Sequence, residues 1–233
     1  MSKKKNAFTL IELSISLIII GLLIGGVLLS QGLVRQSKIR RVINDAGNYM
    51  NAINTFQLTY GMLPGDFSKA TSYWPTAAGN GDGDGVIVWS AESYRAWNHL
   101  MLAGLISGSY NGTSQEPQST YSLGTRKFYW RVEAQAAVIY GMRINFFSML
   151  EITPNSGSFA PLDFYYIDKK IDDGIPSTGW VLGWSSAASP ACIFGSDNVT
   201  GQSSTYASFP TSYSLSTTET CIRMGFLLDR VAS

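Results

Sequence analysis

The sequence predicts an α+β protein in which one long N-terminal helix packs on an antiparallel β-sheet. Three observations lead there. An apolar run opens the chain, an amphipathic helical pattern follows it directly, and the remainder is rich in Gly, Ser, Thr and Tyr with short strand-like segments. The 233 residues suffice for one globular domain plus an extra element. Charged residues make up only 14% and the net charge is +1, so nothing suggests a polyanionic partner, and no nucleic acid is expected.

The first element is the apolar run. Met1 to Ala7 reads MSKKKNA, a short leader with three lysines, and Phe8 to Leu29 reads FTLIELSISLIIIGLLIGGVLL. A helix of about 22 such residues crosses a bilayer core of roughly 30 Å. Lys3, Lys4 and Lys5 favour a cytoplasmic leader, which places the rest of the chain across the membrane. A secretory signal also starts basic and apolar, but here the leader is very short and no A-x-A site closes the run. Glu12 is the exception inside the run. A carboxylate in a membrane segment is costly, so it either serves a function with a partner or lies close enough to the surface to reach water.

FTLIELSISLIIIGLLIGGVLL resembles the prepilin-type signal of type IV pilins and type II secretion pseudopilins. The resemblance implies a pilin-like fold and a filament subunit, not an enzyme. It implies cleavage by a prepilin peptidase between Ala7 and Phe8, methylation of the new Phe8 amine, and a role for Glu12 in assembly through a neighbour's terminal ammonium. The partners it implies are other pilins or pseudopilins in a homo-oligomeric or mixed filament, the peptidase and an inner-membrane assembly platform. The implied location is the inner membrane, single-pass, with the globular part periplasmic, or extracellular in a pilus. Two departures stand out: Ala7 occupies the position usually held by Gly, and the apolar helix lacks the proline many pilins carry. A membrane-anchored binding or adhesion module that does not polymerise is the alternative.

The helix is expected to continue. Val34, Ile39, Val42, Ile43, Ala46, Met50, Ile53 and Phe56 recur at three- and four-residue steps, and Tyr60-Gly61 followed by Pro64-Gly65 ends the pattern. A helix from Phe8 to Tyr60 would be roughly 80 Å long. The expected organisation is a leader over 1–7, a membrane and filament-core helix over 8–34, and a globular part over 35–233 that includes the amphipathic continuation to about residue 60.

Beyond Pro64, Gly79 to Gly85 reads GNGDGDG. Asn80, Asp82 and Asp84 at alternate positions before Gly85 match the opening half of an EF-hand calcium loop, with the Val86 carbonyl as a fourth ligand. The twelfth position is Ala91, and Glu92 follows it at the start of an expected helix over Ala91–Ile106. A structural Ca2+ on Asn80, Asp82, Asp84, Val86 and Glu92 is one expectation; a solvated Gly/Asp loop is the other. His99, the only histidine, lies on the apolar face of that helix and reads as structural.

Lys127–Val132, Ala137–Met142 and Asn145–Met149 read as strands, and Phe164–Ile167 as a strand or short helix. Asp168 to Gly179 reads as a turn whose acidic cluster is a second cation candidate. Cys192 and Cys221 sit in no CxxC pair, so a metal site is a poor reading and a single disulfide the natural one in an oxidising compartment. Gly183-Trp184-Ser185-Ser186-Ala187 fails the GxSxG pattern at its last position, and no GK[ST] follows the Gly/Asp loop.

Overall fold

The computed structural model describes residues 9–89, 91–114, 116–119, 127–139, 142–151, 159–176, 178–184, 193–194, 212–213, 221 and 223–228. The elements in order are α1 (Leu10–Tyr60), α2 (Ala70–Tyr73), α3 (Ala91–Leu102), β1 (Phe128–Ile139), β2 (Met142–Glu151), α4 (Pro161–Ile171), β3 (Val181–Trp184), β4 (Ile193–Phe194), β5 (Ser212–Tyr213) and β6 (Arg223–Leu227). The architecture is α+β, with a long N-terminal helix and a four-stranded antiparallel sheet. Two compact units divide the chain, residues 1–38 and residues 39–233.

In the first unit, α1 is apolar and unburied. Leu10, Ile11, Leu13, Leu17, Ile18, Leu22, Leu23 and Val27 are all exposed. The stretch is long and apolar enough to cross a membrane, and none of it is covered by the chain. Its hydroxyls are satisfied within the helix: Ser14 Oγ donates to the Ile11 carbonyl and Ser16 Oγ to the Glu12 carbonyl.

In the second unit, α1 buries one face. Ile39, Val42, Ala46, Ile53 and Phe56 are buried, at steps of three, four and seven residues. Tyr49 meets Trp97 edge-on at 5.2 Å and lies 5.9 Å from Trp130 and 5.8 Å from Phe147. Helix and sheet thus share one aromatic core, to which β2 and β1 contribute Phe147 stacked on Trp130. Gly61, at φ +75°, supplies the left-handed residue just past the end of α1.

The sheet order is β1-β2-β6-β3, all neighbours antiparallel. The register sets Trp130 opposite Met149 and Phe147 opposite Phe226, so alternate residues point into the core. The edges are closed locally. Trp130 N–H donates to the Pro117 carbonyl and Ala134 N–H to the Ile87 carbonyl on the β1 side, and Gly183 N–H to the Pro176 carbonyl on the β3 side. Arg131 pairs with Glu116 at 2.8 Å, and Arg223 with Glu133 at 3.0 Å, tying β1 to residue 116 and to β6.

Two expectations change, and one open alternative is decided: Phe164–Ile167, expected as a strand or a short helix, is helical. Ala137–Met142 is not a strand of its own: β1 continues to Ile139 and β2 begins at Met142, with an irregular register between Gln135 and Ile139. Phe164–Ile167 lies inside α4, which Pro161 opens at a position where its missing N–H costs nothing. Helix α3 stops at Leu102 instead of Ile106, because Gly104 adopts φ +71°. Helix α2, strand β3 and strand β6 were not legible, being four or five residues long with little periodicity.

Candidate assembly segment and acidic loop

Ala7 and Phe8 lie outside the described residues, and the helix they precede begins with a reciprocal cap. Thr9 Oγ1 accepts the Glu12 N–H at 3.3 Å, while Glu12 Oε2 accepts the Thr9 N–H at 2.9 Å and the Thr9 hydroxyl at 2.8 Å. This is a capping box, T-x-x-E, and it satisfies donors that a helix start otherwise leaves open. The only carboxylate in the apolar segment is therefore held at the helix N-terminus, where the macrodipole favours negative charge. Glu12 is exposed, and among the described residues its carboxylate bonds only Thr9, so it can be offered to a group outside the chain.

The second site forms where two loops cross. The turn after α1 brings in Asp66, which the sequence reading missed. Asp66 Oδ1 accepts Gly83 N–H at 2.7 Å and Oδ2 accepts Gly85 N–H at 3.1 Å. Gly81 allows the crossing, since a Cβ there would land on the Asp66 backbone. Asp66, Asp82 and Asp84 then present carboxylate oxygens within 4.8 Å of one another. Among the described residues none of the three makes an ion pair. Burial pushes Asp66 up to about 6, against the pull of the Gly83 and Gly85 N–H groups, and the neighbouring Glu92 and Asp84 charges raise it further.

The side chains of two other expected ligands are engaged in hydrogen bonds of their own, and a third expected ligand's residue, Val86, bonds Asp84 through its N–H. Asn80 Oδ1 accepts from the Thr71 N–H and hydroxyl at 2.9 and 3.1 Å. Glu92 is buried, and its two oxygens accept Asp82 N–H at 3.1 Å and Val88 N–H at 3.0 Å, stapling the loop to the start of α3. Val86 donates its N–H to Asp84 Oδ1 at 2.8 Å. The structure thus gathers Asp82 and Asp84 with Asp66, and the Glu92 carboxylate stays outside that trio.

His99 braces the same crossing. Its Nδ1 accepts Gly65 N–H at 3.0 Å, so Nε2 carries the proton toward the Gly79 carbonyl at 3.1 Å. The ring stacks near Phe56 and Trp74, and burial pushes it down to about 4. The acidic cluster of Asp168, Asp172 and Asp173 serves its own turn. Asp168 accepts Gly174 N–H, Asp172 accepts Trp180 and Val181 N–H, and Asp173 accepts Ile175 N–H. Cys221 is buried and pairs its backbone with Phe159, while Cys192 lies outside the described residues.

No curated protein and no solved structure matches the chain. The family match is confined to the N-terminal segment: residues 2–28 fit the Prokaryotic N-terminal methylation motif, the prepilin-type signal of type IV pilins and pseudopilins.

Proposed function

We propose that this chain is a structural subunit of a type IV pilus or type II secretion pseudopilus. A prepilin peptidase cuts it between Ala7 and Phe8 and methylates the new amine, and an inner-membrane platform then assembles it into a helical filament with other pilins. The methylation motif over residues 2–28 carries the reading, because that signal points to the precursor of a structural subunit. The unburied apolar helix supports it, since a surface of that size needs lipid or other helices. Before assembly the subunit sits in the inner membrane with the leader in the cytoplasm and the globular unit outside it. Glu12 then exchanges its Thr9 contacts for a neighbour's terminal ammonium, which offsets the cost of a carboxylate in hydrocarbon only in one register. The test is Glu12→Ala in filament-forming cells. Filament yield is expected to fall at least about tenfold (roughly 1.4 kcal/mol per contact) with no change in the melting of the globular unit; normal filaments from the variant contradict the role.

We also propose a structural calcium ion on Asp66, Asp82 and Asp84. Three convergent carboxylates without an ion pair form an oxygen donor set suited to a hard divalent cation, which would offset their mutual repulsion. Melting with calcium and with chelator tests it. A higher melting temperature in calcium is expected, because an ion that binds only the native state stabilises it; identical curves contradict it. Cys192 and Cys221 are proposed to close the C-terminal region as a disulfide. Intact mass before and after reduction checks that pairing, and an unchanged mass contradicts it.

A further inference from the structure

β6, the last strand of the chain, lies inside the sheet and not at its edge. It sits between β2 and β3, antiparallel to both. Phe146 to Leu150 lie opposite Leu227 to Arg223 on one side, and Val181 to Trp184 opposite Phe226 to Arg223 on the other. Among the described residues β3 pairs with no other strand. Leu227 N–H donates to the Trp180 carbonyl at 2.9 Å and Leu228 N–H to the Asn145 carbonyl at 3.1 Å, so this segment is bonded along both edges. Met224 and Phe226 are buried, and the Phe226 ring lies 5.8 Å from Phe147 and 6.1 Å from Trp130. The walls on either side are held by contacts of their own. From Asn145 to Glu151, β2 is paired with β1. β3 is braced from the α4 side, where Asp172 accepts the Trp180 and Val181 N–H groups and the Pro176 carbonyl accepts Gly183 N–H. Those contacts join residues close in sequence and cost little loop-closure entropy. β6 instead pairs with β3, which ends at Trp184, and with β2, which ends at Glu151. Contacts of such separation form late.

We propose that the globular unit is closed last, by its own C-terminal strand: β2 and β3 form the walls of a slot for an extended peptide, and β6 enters it as a donor strand. The chemistry of the slot selects that strand and its register. Apolar surface from Trp130, Phe147 and Val181 takes the side chains at alternate positions, which are Met224 and Phe226. Glu133 is buried on β1, 3.7 Å from Arg131, and Arg223 brings it a second cation at 3.0 Å. A slip of one residue would carry Arg223 to the other face of the sheet and take Met224 and Phe226 out of the core. Synthesis delivers the chain from its N-terminus, so β6 is the last strand to arrive. Until then the edge of β2, with Phe147 and Met149, has no strand beside it, and such an edge is a template for wrong pairing. Closure is thereby reserved for the complete chain. The inference holds whether or not the chain assembles into a filament.

The test starts from the folded full-length chain in detergent, with one protease site inserted between Ser203 and Ser204 and cut under reducing conditions. The C-terminal piece is expected to stay bound and the cut protein to melt cooperatively. Stripping the piece in mild denaturant should abolish cooperative melting, and a fluorescent peptide of residues 222–230 should bind the stripped protein and restore it. The same peptide carrying Phe226→Asp should bind at least about tenfold more weakly. A stripped protein that melts like the uncut chain without peptide overturns the proposal, and so does one that takes both peptides equally well or neither. Hydrogen exchange of the uncut chain gives a second reading that needs no stripping. The Leu227 and Leu228 amides should open at lower denaturant than the amides between β1 and β2; β6 amides that open only together with those of β1 and β2 overturn the order of closure.

Discussion

One helix, α1, does two opposite things. Over residues 10–27 and 30–34 its apolar side chains are exposed, and over residues 39–56 a single stripe is buried while the other faces are half-buried or exposed. Secondary structure is the same in both stretches, so helix propensity does not separate them. What separates them is where the partner of the apolar surface lies. In the second stretch it is inside the chain, in the rings of Trp97, Trp130 and Phe147. In the first the chain supplies none, and lipid or neighbouring helices must. The few polar groups of the first stretch fit that difference: its serines bond within the helix, and Glu12 is held by Thr9 at the end, where it can be released.

The sharpest way to break this contrast is to truncate one large apolar side chain in each stretch. Phe56 is fully buried, against Tyr60, Phe67 and Trp74. Phe56→Ala should cost about 3–5 kcal/mol of the globular unit's stability, from lost burial plus a cavity. Leu17 is 62% exposed, and Leu17→Ala should leave that unit's melting unchanged. Equal losses from both would show that the apolar segment packs on the chain after all.

A smaller effect sharpens the same contrast with pH, because the globular unit buries titrating groups that oppose each other. His99, pushed down to about 4, is held neutral, so its contribution is intact above its ordinary 6.5 and is lost as pH falls from there toward 4. The full loss is about 3 kcal/mol, at 1.36 kcal/mol per pH unit. Asp66, pushed up to about 6, has the opposite sign. Its contribution is present below its ordinary 3.8 and is lost as pH rises through 6. Between pH 4 and 6 the two slopes largely cancel. His99→Gln, which keeps an acceptor for Gly65 and a donor for Gly79, should unmask the Asp66 slope, with the calcium-free protein melting lower at pH 6 than at pH 4. A variant that melts lower at pH 4 would contradict the assignment.

Much of this was legible in the residues. The apolar run, Glu12 and the three- and four-residue steps from Ile39 to Phe56 declare α1 because helix periodicity is local. Pro161 is a helix-opening signal, yet Phe164-Tyr-Tyr-Ile167 has strong strand propensity, and burial of Phe164 and Ile167 on one helix face decides for helix. The Gly/Asp loop was legible as a loop, but its partner was not. Asp66 reaches Gly83 and Gly85 across 17 and 19 residues, a tertiary contact that no motif encodes. The neighbouring Pro64-Gly65 reads in the sequence only as the end of α1. Glu92 matched an ion ligand by spacing, but the open N–H groups of Asp82 and Val88 claimed its two oxygens.

The central claim is that the apolar stretch of α1 is an assembly helix released by cleavage before Phe8. Mass spectrometry of the N-terminus of the mature chain tests it most directly. The expected result is a chain that begins at Phe8 with a methylated amine. A chain that keeps the Met1 leader, or one cut after the apolar run so that Glu12 is lost, would contradict it.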